Sequence, residues 1–333
     1  MTSNIYIILI FITNILLFSF LSLISKKLNL IDYPNNNLKL HKKPTPLLGG
    51  IFIYVNILVY FIFLLFNQDL RPEILASNKS LFNFIFLSST FFFVGFFDDK
   101  IKISANLKFI LFIIISFIAV LVDKNLVISK LTFSFMSKEI FLENFSIFFT
   151  VLCIVLFVNA FNMFDGINCQ ASLYALLLFL IIFLQGLDIY IALTFLIPLL
   201  FILILNFKNI IFLGNTGSYL IPVILAQIFI LSYNKNTFLA DEIILLLIFP
   251  GLDMLRLFIQ RSLKKVNPFS GDKNHIHHLL LRNANILFTL FLTVVVSVSF
   301  YIVYFYTNFN ILFFLISIVI YYIFIYLLSK RNS

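Results

Sequence analysis

Long apolar runs broken by short polar stretches make up this chain of 333 residues. A bilayer core about 30 Å thick is crossed by about 20 helical residues. Against that length the pattern predicts eleven spans, at 5–24, 47–66, 81–97, 107–122, 145–161, 170–186, 189–206, 217–233, 242–259, 286–306 and 311–328. The runs are continuously apolar and do not alternate, which excludes an outer-membrane barrel. A backbone in lipid must satisfy its own hydrogen bonds, so each run is expected as a helix. The predicted fold class is all-α: a polytopic integral membrane protein, one membrane-embedded domain over residues 1–333, with about 11 transmembrane helices. Ile5–Ile24 reads as the first span and not as a cleavable signal. Met1–Asn4 holds no cation, the run exceeds a signal h-region, and no small-residue cleavage site follows. Pro198, Pro222 and Pro250 fall inside or at the ends of spans and predict kinks.

Composition agrees. The chain is 62% hydrophobic and 11% charged, against about 45–50% and about 25% in soluble domains. Its 46 Phe, with abundant Ile, Asn and Lys, follow a nucleotide-composition bias, so no single Phe carries functional weight. Cys153 and Cys169 are too few for a disulfide framework and read as small buried hydrophobes. The net charge of +9 reads first as topology. With the N-terminus periplasmic and the C-terminus cytoplasmic, seventeen of the 23 Lys and Arg fall in cytoplasmic loops or at their margins. Nucleic acid is therefore not needed as a partner. Eight of the 14 acids lie in the opposite loops as ordinary solvated residues. Asp32, Asp98, Asp99, Asp165, Asp253 and Asp272 lie on the cytoplasmic side, where charges at span ends point to function.

Five cytoplasmic loops, 25–46, 98–108, 159–169, 206–218 and 260–285, carry the candidate chemistry. Ile31–Gly50 is a basic, glycine-bearing connector able to hold a phosphate through Lys side chains and backbone N–H groups. At Gly95–Lys108, Asp98 and Asp99 end a span. Successive helical residues diverge by about 100°, so one can face a metal and the other a second substrate. A plain helix stop is the competing reading, although two acids at a helix C-terminus oppose its dipole. Asn159, Asn162 and Asp165 make a stripe of oxygens before Gly166. Oxygen ligands suit Mg2+, and the stripe could equally read a nucleobase or end as a C-cap. Phe212–Ser218 reads as a turn that exposes backbone, or as a tight turn with Ser218 as N-cap. Asp253, Arg256 and Gln260 or Arg261 share one helix face. Lys264–Leu280 is the most polar stretch and holds His275, His277 and His278. Zinc sites usually add cysteine or a spaced ligand, and this loop is crowded with cations. His+/Arg clamps on phosphate oxygens or a sugar fit better.

Together these segments resemble the polyprenyl-phosphate N-acetylhexosamine-1-phosphate transferases of glycosyltransferase family 4, in the branch acting on UDP-GlcNAc or related sugars. Five motifs stand in the family's order: P-T-P-x-x-G-G at Pro44–Gly50, the Asp98–Asp99 pair with Ser104 and Lys108, N-x-x-N-x-x-D-G at Asn159–Gly166, F-x-G-x-x-G-S at Phe212–Ser218, and P-F-S-x-D-K-N-H-I-H-H at Pro268–His278. The resemblance implies that undecaprenyl phosphate attacks the β-phosphate of a UDP-N-acetyl-sugar and UMP leaves. The lipid-linked product would start an O-antigen or cell-wall polymer at the inner (plasma) membrane, with the active site facing the cytoplasm. It implies Asp98, Asp99 and Asp165 as catalytic. It implies Lys42, Thr45, Lys108, Asn159, Arg261, His275, His277 and His278 as substrate-binding. It implies Asn162, Asp99 and Asn215 as ligands of Mg2+, with Mn2+ as a substitute. Membrane lipids and a second copy of the chain complete the implied partners. The fourth motif normally has Asp where this chain has Asn215, which removes a charge from the metal site and raises the alternative of a weakened or inactive homologue. A membrane lipid or solute transporter is the competing class. Transporters place ionisable groups at the midplane and show internal repeats; here the midplanes are nearly free of charge and no sequence repeat stands out.

Overall fold

The computed structural model describes residues 2–34, 43–266, 274–307, 315–323 and 325. The first ten predicted runs are helical. They appear as α1 (Thr2–Ser19) with α2 (Leu21–Leu28), α3 (Gly49–Phe66), α4 (Asn78–Ile101), α5 (Ala105–Val122), α6 (Ser146–Phe164), α7 (Gln170–Leu184), α8 (Ile189–Phe207), α9 (Gly214–Asn234) and α10 (Ala240–Leu263). The short α11 (Ile276–Leu281) follows. Then α12 (Ile286–Leu290), a π-helical turn at Phe291–Val295 and α13 (Val296–Thr307) form one continuous run. Among the described residues, seven helices are long and apolar enough to cross a membrane, or eight if the bent pair α1–α2 counts as one. The protein is a helical, multi-pass membrane protein. Two predicted spans fall short of that measure. α7 has 15 residues, and α10 carries Asp241, Glu242, Asp253, Arg256 and Arg261. Of the last run, only 315–323 and 325 are described, and they are helical.

The first predicted span bends by 65° at Phe20. The continuation, α2, carries Ser22, Ser25, Lys26 and Lys27 and is too polar to prolong an apolar crossing. Pro198, Pro222 and Pro250 lie inside continuous helices. Two short antiparallel ladders depart from the all-α expectation. β1 (Ile31–Asp32) pairs with β2 (Thr45–Pro46), and β3 (Lys130–Leu131) pairs with β4 (Ile140–Phe141).

The chain divides into two compact units. The first comprises Met1–Ser104 and Ala175–Leu225, the second Ala105–Tyr174 and Ala226–Ser333. In the first unit α1, α3 and α8 pack on one another and α3 packs on α4. Because lipid is as apolar as Leu, helix association there draws on polar pairs and close backbone approach. Asn14 and Asn56 exchange two amide hydrogen bonds of 3.0 and 3.2 Å between α1 and α3. Tyr6 and Thr194 join α1 to α8 through their hydroxyls.

The start of α9 is held by backbone contact. Gly49 and Gly50 N–H groups donate to the Phe212 and Leu213 carbonyls at 3.0 and 3.1 Å, and Phe212 N–H donates to Pro46 O at 2.8 Å. A Cβ at Gly50 would lie 2.5 Å from Gly217 N, and one at Gly95 would lie 2.6 Å from both Asn215 O and Thr216 Cα. The glycines therefore let α3 and α4 touch the α9 backbone directly.

In the second unit α6 packs on α5 and α10, and α10 packs on α13. The β3–β4 hairpin is tied to helix ends. Thr132 N–H donates to Tyr233 Oη at 2.8 Å, Ser134 N–H to Asp241 Oδ1 at 3.0 Å, and Ala240 N–H to Thr132 O at 2.9 Å.

Gly95→Ala is expected to destabilise by roughly 1–3 kcal/mol, as overpacking does. Gly251→Ala, whose Cβ meets nothing within 4 Å, should be neutral or stabilising, because a helical Gly costs about 1 kcal/mol against Ala. A thiol-reactive dye following the exposure of Cys153 and Cys169 on heating reads both. Equal midpoints for Gly95→Ala and the parent protein would contradict the close approach.

Candidate active site

Two polar clusters stand at helix ends, one in each unit. In the first, Asp99 of α4 caps the N-terminus of α9. Its Oδ1 accepts from Asn215 N–H at 2.8 Å, and its Oδ2 accepts from Thr216 N–H at 2.9 Å and Thr216 Oγ1 at 2.5 Å. A carboxylate meets the orphan N–H groups and the positive end of the helix dipole there. The unfavourable placement at the C-terminus of α4 is thus offset by a second helix. Asp98 diverges as expected. Its Oδ1 accepts from Ile103 N–H at 2.8 Å and its Oδ2 from Tyr219 Oη at 2.6 Å. α4 ends at Lys102, whose φ of +53° is a left-handed cap. Ser218 lies inside α9 and is not its N-cap. The Asn215 side chain makes no hydrogen bond among the described residues.

The predicted contributors from the first motif divide. Thr45 is buried, pairs with Asp32 in the β1–β2 ladder, and donates its hydroxyl to Lys43 O at 3.0 Å. Lys42 lies outside the described residues, as do Asp272 and the stretch 267–273 of the fifth motif.

The second cluster gathers α6, α10 and α11. Helix α6 stops at Phe164, with Asp165 as its C-cap. Asn159, Asn162 and Asp165 are half-buried at this end. Asn159 Nδ2 donates to Val155 O of its own helix at 2.8 Å, which leaves its carbonyl oxygen as an acceptor. Lys108 is half-buried in the first turn of α5. Arg261 is buried in the last turn of α10.

The histidines sit at the start of α11. The His275 and His277 rings are 5.4 Å apart and parallel within 4°, and His277 and His278 are 4.4 Å apart. His277 is 0% exposed, and among the described residues neither ring nitrogen has a hydrogen-bond partner. Burial, reinforced by His278 and His275, holds its pKa well below the ordinary histidine range. At neutral pH it is an uncharged imidazole with one donor and one acceptor. The expected His+ clamp therefore does not extend to His277, because its seat is too dry to keep a proton. That seat is Gly166: a Cβ there would lie 1.8 Å from His277 Nε2. The glycine of the third motif makes room for a histidine of the fifth.

Asp253 was legible in the sequence as part of a polar helix face but not as a site residue. It is 3% exposed and accepts from Arg256 Nη2 at 2.7 Å, Tyr321 Oη at 3.0 Å, Ile276 N–H at 3.2 Å and His275 Nδ1 at 2.8 Å. Charges one helical turn apart inside an apolar run were the available signal. For Tyr219 and Tyr321 the sequence offered none, and for Thr216 only its place in the Phe212–Ser218 turn, since each acts on a residue at least 65 positions away. Among the described residues, no three His, Cys, Asp or Glu side chains group as a metal site.

Residues 81–233 match the family model "Glycosyl transferase family 4". Over that segment the chain is similar to glycosyl transferase family 4. The matched segment contains the Asp98–Asp99, Asn159–Gly166 and Phe212–Ser218 motifs. Similar curated proteins extend the likeness. The undecaprenyl-phosphate alpha-N-acetylglucosaminyl 1-phosphate transferase of Escherichia coli (strain K12) is 28% identical over 286 residues, covering 82% of this chain and 75% of that protein. The Yersinia pestis protein of the same name is 28% identical over 269 residues, 77% and 70% of the two chains. A "probable undecaprenyl-phosphate N-acetylglucosaminyl 1-phosphate transferase" of Bacillus subtilis (strain 168) is 27% identical over 267 residues, 78% and 71%.

Two outcomes follow from the His277 seat. Gly166→Ala should lower the unfolding midpoint, and adding His277→Ala should recover most of that loss; full additivity would refute the contact. The lowered pKa of His277 also has a sign. Above about 6.5 the ring is neutral folded and unfolded, and the stability is complete. As pH falls below that value the unfolded chain takes the proton first and stability drops. The midpoint between pH 7 and 5 should fall less steeply in His277→Asn; an unchanged slope would refute the neutral assignment.

Proposed function

We propose that the protein transfers an N-acetylhexosamine 1-phosphate from a UDP-sugar to undecaprenyl phosphate, releasing UMP. The observation that carries this reading is the family match over three of the five motifs, joined to relatives named for that transfer. An oxygen of the acceptor phosphate forms a bond to the β-phosphorus of the UDP-sugar. The bond from that phosphorus to the bridging oxygen breaks, and UMP leaves with the oxygen. Such a transfer asks little covalent chemistry of the protein and much positioning and charge neutralisation.

The first cluster suits the acceptor phosphate and a metal. Mg2+ takes oxygen ligands, commonly one or two from protein together with substrate phosphates. Asp99 Oδ1 accepts a single hydrogen bond, which leaves a lone pair, and the Asn215 amide beside it makes none among the described residues. This donor set fits Mg2+ weakly in charge and well in hardness. Asp99 and Asn215 would hold it. Asn162, the third expected ligand, stands on α6 in the second unit. A bound Mg2+ supplies charge neutralisation at phosphate oxygens. Asp98, fastened at both oxygens, orients the turn that carries Asp99.

In the second cluster, Asn159 and Asp165 offer acceptors for the nucleotide. Arg261 offers a bidentate donor for phosphate, and His278 offers hydrogen bonds to phosphate or sugar, with neutral His277 packed behind it. Lys42 and Lys108 add cations. The Lys and Arg bias supports eleven crossings, a periplasmic N-terminus and motif loops in the cytoplasm of a plasma-membrane protein.

Purified protein with undecaprenyl phosphate and millimolar Mg2+ should release UMP from UDP-GlcNAc or another UDP-N-acetylhexosamine. No UMP from any of them would sink the reading. Asn215→Asp should lower the Mg2+ concentration for half-maximal rate, since it restores a charge to the donor set. An unchanged Mg2+ dependence would remove Asn215 from the metal.

A further inference from the structure

The second unit contains a buried ionic network that the transfer chemistry above does not use. Asp253 lies in α10, one turn beyond Phe249. Its Oδ1 takes three donors, Arg256 Nη2, Tyr321 Oη and Ile276 N–H, and its Oδ2 takes one, His275 Nδ1. Arg256 continues the network, with Nη2 donating to Asn274 O at 2.7 Å and Nε to Tyr321 Oη at 2.9 Å. Asp253, Arg256 and Tyr321 are 3%, 7% and 0% exposed. Below them Ile276 and Leu280 of α11 pack with Ile248, Phe249, Phe300 and Tyr321. The apolar cluster already seats α11, and Arg256 with the Ile276 N–H already fastens the backbone ahead of it. The bond from Oδ2 to the His275 ring is not required for either task.

That bond has a chemical consequence. An ionised carboxylate only accepts, so His275 Nδ1 must donate. The tautomer is fixed, and Nε2 becomes the working nitrogen. Among the described residues, the His275 ring makes no other hydrogen bond. A carboxylate behind an imidazole orients the ring and favours its protonated form when charge builds in front of it.

We propose that Asp253, braced by Arg256 and Tyr321, is a positioning residue that fixes the tautomer and orientation of His275 for the sugar-phosphate transfer. The proposal rests on the transferase reading for its kinetic part and on the geometry alone for its labelling part. Asp253→Asn should lower kcat roughly 10- to 100-fold, as loss of a residue supporting an active-site ligand does. In a His275→Ala background the same substitution should cost less than about twofold, because both changes remove one device. Tyr321→Phe takes a single donor from the same carboxylate and preserves shape. It should show a smaller loss that also vanishes without His275.

Carbethoxylation of His275 by diethyl pyrocarbonate, followed by peptide mass spectrometry, reads the bond without turnover. It should be slow in the parent protein and several-fold faster in Asp253→Asn and Tyr321→Phe. An Asp253→Asn loss that persists undiminished in the His275→Ala background, or His275 labelling equal to the parent in both variants, would overturn the proposal. If the parent protein turns over no UDP-sugar, the transferase reading falls, and the labelling alone decides the role of Asp253.

Discussion

The structure of the first unit depends on one carboxylate meeting one helix end. Asp99 closes α4 and satisfies the first N–H groups of α9, while Gly50 and Gly95 let both neighbouring helices touch the α9 backbone. A buried helix start must find acceptors for its N–H groups or lose free energy for each one left bare. Here the acceptor is an acid from another helix, so the chain turn at Phe212–Ser218 and the Asp98–Asp99 pair form one object. The backbone N–H groups offset part of the cost of burying the charge.

The second unit solves a related problem with a buried ion pair. Asp253 and Arg256 hold the approach to α11, and Gly166 clears the space that His277 fills. Buried charges are expensive unless fully hydrogen-bonded, and Asp253 accepts four donors. The result is a histidine row with two distinct characters. His275 is tied to a carboxylate, and His277 is dry and neutral.

Much of this was legible in the sequence. The apolar runs located the helices, and the polar breaks, with the polar face of α10, located the residues now found in the two clusters except Tyr219 and Tyr321. What the sequence withheld were the partners. Asp99 and Thr216 are separated by 117 positions, and no local pattern encodes that meeting. The 65° bend at Phe20 has no Pro or Gly to announce it, and the β3–β4 hairpin lies in a stretch readable only as a loop. α10 read as a span because its mean is apolar, while its five charged residues mark it as the helix that carries the ionic network. Gly166 was readable as a helix stop, but its second role needs the position of a ring 111 residues later.

The central claim is that phosphorus moves together with the sugar. The most direct measurement uses a UDP-N-acetylhexosamine labelled with 32P at the β-phosphate, incubated with the purified protein and undecaprenyl phosphate. The account predicts that the label enters an organic-extractable lipid while UMP accumulates in the aqueous phase. Label remaining in the aqueous phase as UDP, with only the sugar moving to the lipid, would contradict it.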